Sequence, residues 1–252
     1  MSARAALIEI FHSVQGEGRF VGESMAFLRV ATCPIRCRYC DTPGSYRAGS
    51  TFRVEGAAPE PNPVTGVRAA ELIEQVASGS PFHAAGQLLR VSVTGGEPLV
   101  YPEFITELGT ALEGRAVLHL ETAALDADAL GRVLPSLAHL SADYKLPGTL
   151  EAGDPRPDHV ACLERAAERE DLTIDVKLVL VPGLADAVLE EALADLGPFA
   201  GRILLVLQPV TPRPGCADAL PAEELGRWAH AVGQRGFRYR VIPQTHKQLG
   251  VE

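Results

Sequence analysis

Three of the chain's five cysteines, Cys33, Cys37 and Cys40, stand within one stretch of eight residues. Thiols this close cannot bridge one another without strain, so the spacing suits a loop wrapped around one soft metal centre better than a disulfide framework. Pro34, inside the stretch, agrees with a loop. Two centres fit. Structural zinc takes four protein ligands, usually as two half-sites, and no second Cys or His pair at such a spacing follows downstream. A cubane iron-sulfur cluster normally takes four thiolates, so one held by three leaves an iron open to a further group, and that site is reactive. Cys162, in an amphipathic stretch, and Cys216, in a Pro-Gly loop, have no such neighbours and read as incidental.

The elements that must position these thiols alternate along the chain. Short apolar runs at 7–11, 26–31, 88–94, 116–121, 139–144, 173–180, 202–208 and 237–242 predict strands. Segments of helical periodicity at 67–77, 102–112, 126–134, 157–169, 185–196 and 221–235 predict helices, several opening on Pro or Asp. Such alternation specifies an α/β fold with a mostly parallel sheet. The length of 252 residues, 46% of them hydrophobic, suits one domain over 1–252. The stretch 44–66, with Pro59, Pro61 and Pro63, reads as a long loop, either an insertion or a cover over the site.

A net charge of −9, with both signs interspersed, argues against nucleic acid or an anionic membrane as partner. Glu9 interrupts the apolar N-terminal run and no stretch approaches membrane-spanning length, so a cytoplasmic location is expected. Clustered thiols agree with a reducing compartment.

Chemistry in a parallel α/β barrel gathers at the carboxyl ends of strands. Thr94-Gly95-Gly96-Glu97-Pro98 follows one such run; by itself it is also an ordinary strand-to-helix turn. Gln15-Gly16-Glu17-Gly18 follows the first run, and Arg29 lies inside the second, where an unpaired charge would be costly.

Taken together these motifs resemble a known family. Cys33-x-x-x-Cys37-x-x-Cys40 is similar to the cluster loop of the radical S-adenosylmethionine (SAM) enzymes, and the Gly-Gly-Glu segment resembles their motif for the SAM amino group. In those enzymes the open iron chelates SAM and an electron splits it to a 5'-deoxyadenosyl radical. Glu9 to Gly18, Phe27-Leu28-Arg29, Cys40-Asp41-Thr42-Pro43, Ser141 to Pro147, Val176 to Val179, Leu207 to Pro212 and Ile242 to Lys247 resemble the 7-carboxy-7-deazaguanine synthase family over nearly the whole chain.

The resemblance implies a partial (β/α) barrel of the radical SAM type, open on one side, with a helical layer thinner than that of a full barrel. It implies a SAM-dependent ring contraction of 6-carboxy-5,6,7,8-tetrahydropterin to 7-carboxy-7-deazaguanine, with loss of ammonia, on the route to queuosine-type nucleosides. It assigns Cys33, Cys37 and Cys40 to a 4Fe-4S cluster and Thr42 to a magnesium ion, whose preference for oxygen agrees. SAM contacts fall on Gly96, Glu97, Ser141, Asp143, Lys145, Lys177 and Gln208. Substrate contacts fall on Val14, Gln15, Gly16, Glu17, Arg29, Thr94, His246 and the terminal Glu252, so that a C-terminal tail reaches the site. Arg29 makes physical sense there, because a guanidinium fork holds a carboxylate bidentately. A homodimer and an external one-electron reductant such as flavodoxin or ferredoxin are implied as partners. The competing readings are a glycyl-radical activating enzyme, which shares the cluster loop but acts on a protein, and a non-catalytic zinc protein.

Overall fold

The computed structural model describes residues 2–83, 86–213 and 218–251, which leaves Cys216 and Glu252 outside the described residues. Twelve strands and seven α-helices follow one another in those residues. They are β1 (Arg4–Ala5), β2 (Leu7–Val14), β3 (Ser24–Val30), β4 (Thr51–Val54), β5 (Glu60–Pro61), β6 (Val64–Thr65), α1 (Gly66–Gly79), β7 (Leu89–Gly95), α2 (Pro102–Ala111), β8 (Ala116–Thr122), α3 (Ala127–Val133), β9 (Leu137–Tyr144), α4 (Arg156–Ala167), β10 (Thr173–Leu180), α5 (Asp186–Leu196), β11 (Ile203–Pro209), α6 (Ala222–Gln234), β12 (Tyr239–Val241) and α7 (Thr245–Leu249).

Ten strands make one sheet in the order β12-β11-β10-β9-β8-β7-β3-β2-β4-β5. From β12 to β3 every pairing is parallel; β2 then lies antiparallel to β3. The order proceeds in one direction, as right-handed crossovers require, and β12 and β5 remain at opposite edges, so the sheet is open rather than closed. A helix fills each crossover from β7 to β12, and α1 precedes β7. Side chains cap two of the helices, α1 and α3: Thr65 accepts from the Arg68 amide at 3.2 Å and Asp126 from that of Ala129 at 2.8 Å.

The two faces of the sheet differ. Leu118 and Leu120 of β8, Leu140 and Ala142 of β9, and Ile174, Val176 and Leu178 of β10 are buried in the apolar core with the helices. The alternate residues on these strands are His119 and Glu121, His139, Ser141 and Asp143, and Asp175 and Lys177. Period-two alternation thus gives a parallel sheet one apolar and one polar face, where both faces are ordinarily apolar. Cys162 is fully buried in the helical core, as befits an incidental cysteine.

The stretch 44–66 is not a plain loop. It carries β4 and β5, which extend the sheet beyond β2, and β6, which pairs with β1 in a separate two-stranded sheet. Pro61 lies in β5 at the sheet's edge, where the missing amide breaks no ladder. The one-turn helix α7, near the C-terminus, is likewise additional to the expected elements.

Candidate active site

Polar residues from the carboxyl ends of β3 and β7 to β11 converge with the turn after β2 on a cavity of about 600 Å³, a size typical of small-molecule sites. Cys33, Cys37, Cys40 and Thr42 line it from the loop after β3. Hydrogen bonds fix that loop. Arg36 donates to the carbonyls of Cys33 and Ile35 at 2.7 and 2.8 Å, and Arg213 donates to that of Cys40. Arg38 donates its amide to Thr149 at 2.9 Å. Burial pushes the Cys33 thiol up and the Cys37 thiol to about 11; a bound cation reverses such a preference.

The turn after β7 comes close to the cysteine loop. Gly95 has φ +122°, and a Cβ on Gly96 would lie 2.2 Å from the Thr32 carbonyl oxygen, so both positions require glycine. Glu97 does not line the cavity. Its carboxylate is buried and accepts from the amides of Leu99 and Ala123 and from the Thr122 hydroxyl, tying the end of β7 to β8. Burial raises its pKa against these hydrogen bonds. Within the Gly-Gly-Glu segment these bonds shape the turn.

Across the cavity, Asp143 lies 2.8 Å from Lys145 and 3.3 Å from Lys177, and Lys177 lies 2.7 Å from Glu17. Burial disfavours charge on both lysines, yet the neighbouring carboxylates outweigh it and hold each well above its ordinary pKa. Burial likewise opposes ionisation of Asp143, and the two lysines overcome it. The Lys145 amide donates to His159 Nε2 at 2.8 Å, so α4 fixes the backbone of that strand end. Tyr39 places its hydroxyl 3.4 Å from the Lys145 ammonium. Asp143 Oδ1 and Gln208 Oε1 are buried and have no hydrogen-bond partner among the described residues. Both side chains line the cavity with Ser141, and such acceptors suit ligand hydroxyl or amine donors.

The turn after β2 supplies an adjoining wall, with Val14, Gln15, Gly16 and Glu17 all lining the cavity. Gln15 bridges inward, donating to Glu121 at 2.9 Å and accepting from the Glu17 amide at 3.0 Å. Ser92 also donates to Glu121, at 2.6 Å. The C-terminal segment closes over this turn. Thr245 donates its amide and hydroxyl to the Gly16 carbonyl, and His246 packs so tightly that a Cβ on Gly16 would meet its ring at 2.1 Å. Burial lowers the His246 pKa.

Arg29 reaches the cavity from β3 beside Thr94 of β7, its register partner. It is no free surface arginine. Glu9 of β2 stands directly opposite both Arg29 and Arg53 of β4 and accepts from Arg29 Nε at 2.7 Å and Arg53 Nε at 3.0 Å. Burial opposes the Glu9 charge, and the two arginines prevail and lower its pKa. Glu9, Tyr39, Asp41, Glu121 and Gln244 line the cavity without having been singled out from the sequence. Glu121 carried one signal, a polar residue at the carboxyl end of an apolar run.

Among the described residues no three His, Cys, Asp or Glu side chains stand close enough together to hold one metal ion; the cysteines are spread along a loop lining a common cavity. A four-iron cluster takes three thiolates on three separate irons rather than on one. The glycine cradle and the two orphaned acceptors fit a polar ligand beside it. Among the described residues no helix is long and apolar enough to cross a membrane.

Comparison with known proteins agrees with this geometry. The family model described as "Radical SAM superfamily" matches residues 29–196. A 7-carboxy-7-deazaguanine synthase of Geobacter sulfurreducens is 32% identical over 98% of this chain and 97% of its own length. That of Methanothermobacter thermautotrophicus is 31% identical over 98% of each, and that of Methanopyrus kandleri 34% identical over 95% and 91%. Among solved structures, QueE from Escherichia coli superposes with a TM-score of 0.64 at 19% identity, covering 94% of this chain and 93% of its own, which speaks for the fold. A cysteine loop, a glycine turn and paired charges around one cavity, on a chain alike over its whole length to these relatives, lead to one conclusion: the chain belongs to the 7-carboxy-7-deazaguanine synthase family of the radical SAM superfamily.

Proposed function

We propose that this chain contracts the ring of 6-carboxy-5,6,7,8-tetrahydropterin to 7-carboxy-7-deazaguanine with release of ammonia. The observation that carries the reading is the single cavity in which three cysteines, a glycine cradle, a buried lysine-carboxylate network and Arg29 meet. Cys33, Cys37 and Cys40 would hold the 4Fe-4S cluster, and Gly96, Ser141, Asp143, Lys145, Lys177 and Gln208 would hold SAM. When bound, the pair supplies the electron and the radical that abstracts hydrogen from substrate.

The chain's own residues then bind and orient. Lys145 and Lys177, kept protonated by Asp143 and Glu17, give the SAM side a fixed charge arrangement that needs no rearrangement on binding. Arg29 offers its fork to the substrate carboxylate, which would take the place Glu9 occupies on it. Glu121, oriented by Gln15 and Ser92, presents a carboxylate to the N–H edge of a pterin. Val14, Gly16 and Thr94 fit the substrate by shape, and His246, held neutral, bounds the pocket and excludes water.

The same reading carries a magnesium ion at the Thr42 hydroxyl, on the cavity wall beside Cys40, with substrate oxygens completing its shell. It also carries one domain over 1–252, a homodimer, a cytoplasmic location and a flavodoxin- or ferredoxin-like electron donor. By the same reading Glu252 belongs with the substrate contacts.

The deciding experiment is anaerobic reconstitution with iron and sulfide, then mass spectrometry after adding SAM, reductant, magnesium and the carboxypterin. Carboxydeazaguanine appearing with SAM largely preserved is the expected result. 5'-Deoxyadenosine without that product would keep the radical chemistry and overturn the substrate.

A further inference from the structure

Asp41 follows the third cysteine directly, yet its side chain turns away from the cysteine loop's own hydrogen bonds and toward the C-terminus. Its Oδ2 accepts from Gln244 Nε2 at 3.0 Å and from Lys247 Nζ at 2.9 Å. Gln244 is held from three sides: it donates also to Glu17 Oε1 at 2.7 Å and accepts from the Thr211 hydroxyl at 2.5 Å. Glu17 in turn meets Lys177 through its other oxygen.

Beyond the bonds of Gln244 to Glu17 and Thr211, the C-terminal segment has two anchors. One is Thr245 on the Gly16 carbonyl, in the turn after β2. The other is the pair Gln244 and Lys247 on Asp41, and His246 lies between them against the cavity. The final helix α7 has one turn and no buried residue; beyond the contact of the His246 ring with Gly16, these polar anchors hold it.

We propose that Asp41 is a positioning residue that ties the C-terminal segment to the cysteine loop, so that the substrate wall formed by His246 is set only when that loop is in its cluster-holding conformation. This rests on the reading that the three cysteines hold a cluster. One consequence is an order of assembly: the cluster loop is organised first, and the substrate pocket is completed through Asp41. Misplacing a wall residue by an ångström is enough to degrade a bound geometry, which is why a tie outside the reacting groups matters.

The test joins hydrogen-exchange mass spectrometry of the 242–251 segment to steady-state kinetics of the reconstituted enzyme. Asp41→Ala and Lys247→Met should each speed exchange there by about tenfold, the loss of one modest anchor. Each should raise KM for the carboxypterin by about tenfold with a smaller change in kcat. The double variant should be no worse than Asp41→Ala alone, because the contact that Lys247→Met removes is already lost with the Asp41 carboxylate. Asp41→Asn, which keeps an acceptor for Gln244, should restore part of both effects, and chelating iron from the wild-type protein should speed exchange in the same segment. Unchanged exchange and KM in both single variants, or additive effects in the double, would overturn the tie. Where Asp41→Ala disturbs iron binding, Lys247→Met decides alone, since Lys247 meets the loop through Asp41. The exchange measurements need no substrate, so a wild-type enzyme inactive on the carboxypterin would refute the functional reading and leave the tie independently tested.

Discussion

The polar face of the sheet changes character between the two ends of its strands. At the carboxyl ends Lys145, Asp143, Lys177 and Glu17 are largely buried, and each has an oppositely charged partner. Toward the amino ends His119 and His139 are buried at least as deeply, and none of their four ring nitrogens has a hydrogen-bond partner among the described residues. His139 Nε2 does lie 3.4 Å from Asp175 Oδ2, a contact outside hydrogen-bond geometry. These rings behave as aromatic filler: their centroids are 4.1 Å apart, and Phe20 packs against both at 5.6 and 4.8 Å. Burial, with His139 nearby, holds His119 neutral down to about pH 3. Burial of polar groups alone therefore does not mark a site. What distinguishes the upper end is charge held in pairs around a cavity, together with the cysteine loop.

The comparison would break most visibly at the cysteines. Cys37→Ala should abolish both iron content and turnover, since two thiolates cannot hold the cluster; iron analysis and product detection check it. A lesser but still large loss is expected from Lys145→Met. It removes the nearer of Asp143's two partners and leaves a buried carboxylate under-compensated, a change that costs about 3–5 kcal/mol in buried pairs. SAM-dependent turnover should fall at least about a hundredfold, and equilibrium binding of SAM should weaken with it. Turnover near that of the wild type would show that the paired charges are structural, like the histidines below them.

An intermediate effect belongs to His159 of α4, which holds the carboxyl end of β9 from the helical side. Burial first, and then the Lys145 charge, lowers its pKa to about 4, and Nε2 must stay unprotonated to accept from the Lys145 amide. Between pH 4 and 6.5 the unfolded chain therefore binds the proton that the folded chain refuses. Stability from this group is complete above about pH 6.5 and is lost as pH falls toward 4, on the order of 3 kcal/mol over the whole window. Urea unfolding from pH 7.5 to 4.5 measures it. His159→Gln keeps an acceptor without a titrating ring, and its stability should fall less steeply with acid than that of the wild type.

How much of this was legible depended on whether the signal was local. The cysteine loop and the Gly95-Gly96 turn are short motifs, and the strand and helix runs carry their period within a dozen residues, so fold and cofactor site were readable. The strands β4 to β6 were not, because Pro59, Pro61 and Pro63 read as breakers, and only the sheet's edge makes proline harmless there. Glu97 was legible as a motif residue but not as a buried tie between strands. Glu9, Asp41 and Glu121 were missed because their partners are distant in sequence: Arg29 lies 20 residues from Glu9, Lys247 lies 206 from Asp41, and Gln15 lies 106 from Glu121. Such pairings exist only once the sheet has brought the strand ends together.

The smallest effect sharpens the comparison from the other side. His119→Phe replaces a ring whose two nitrogens are buried without partners by one of similar shape that needs none. It keeps the edge-on packing with Phe20 and His139, and removes the cost of desolvating two polar atoms, worth about 1–3 kcal/mol when a group is left unsatisfied. Part of that gain is returned in fitting a slightly larger ring, so a net rise in stability on the order of 1 kcal/mol is expected in thermal or urea unfolding. Turnover should change less than about threefold, because His119 Nε2 lies 4.0 Å from Glu121 and outside its hydrogen bonds. A large loss of turnover in a stably folded His119→Phe protein would mean that the lower histidines serve the site above them through Glu121, and the division between the two ends of the strands would have to be redrawn.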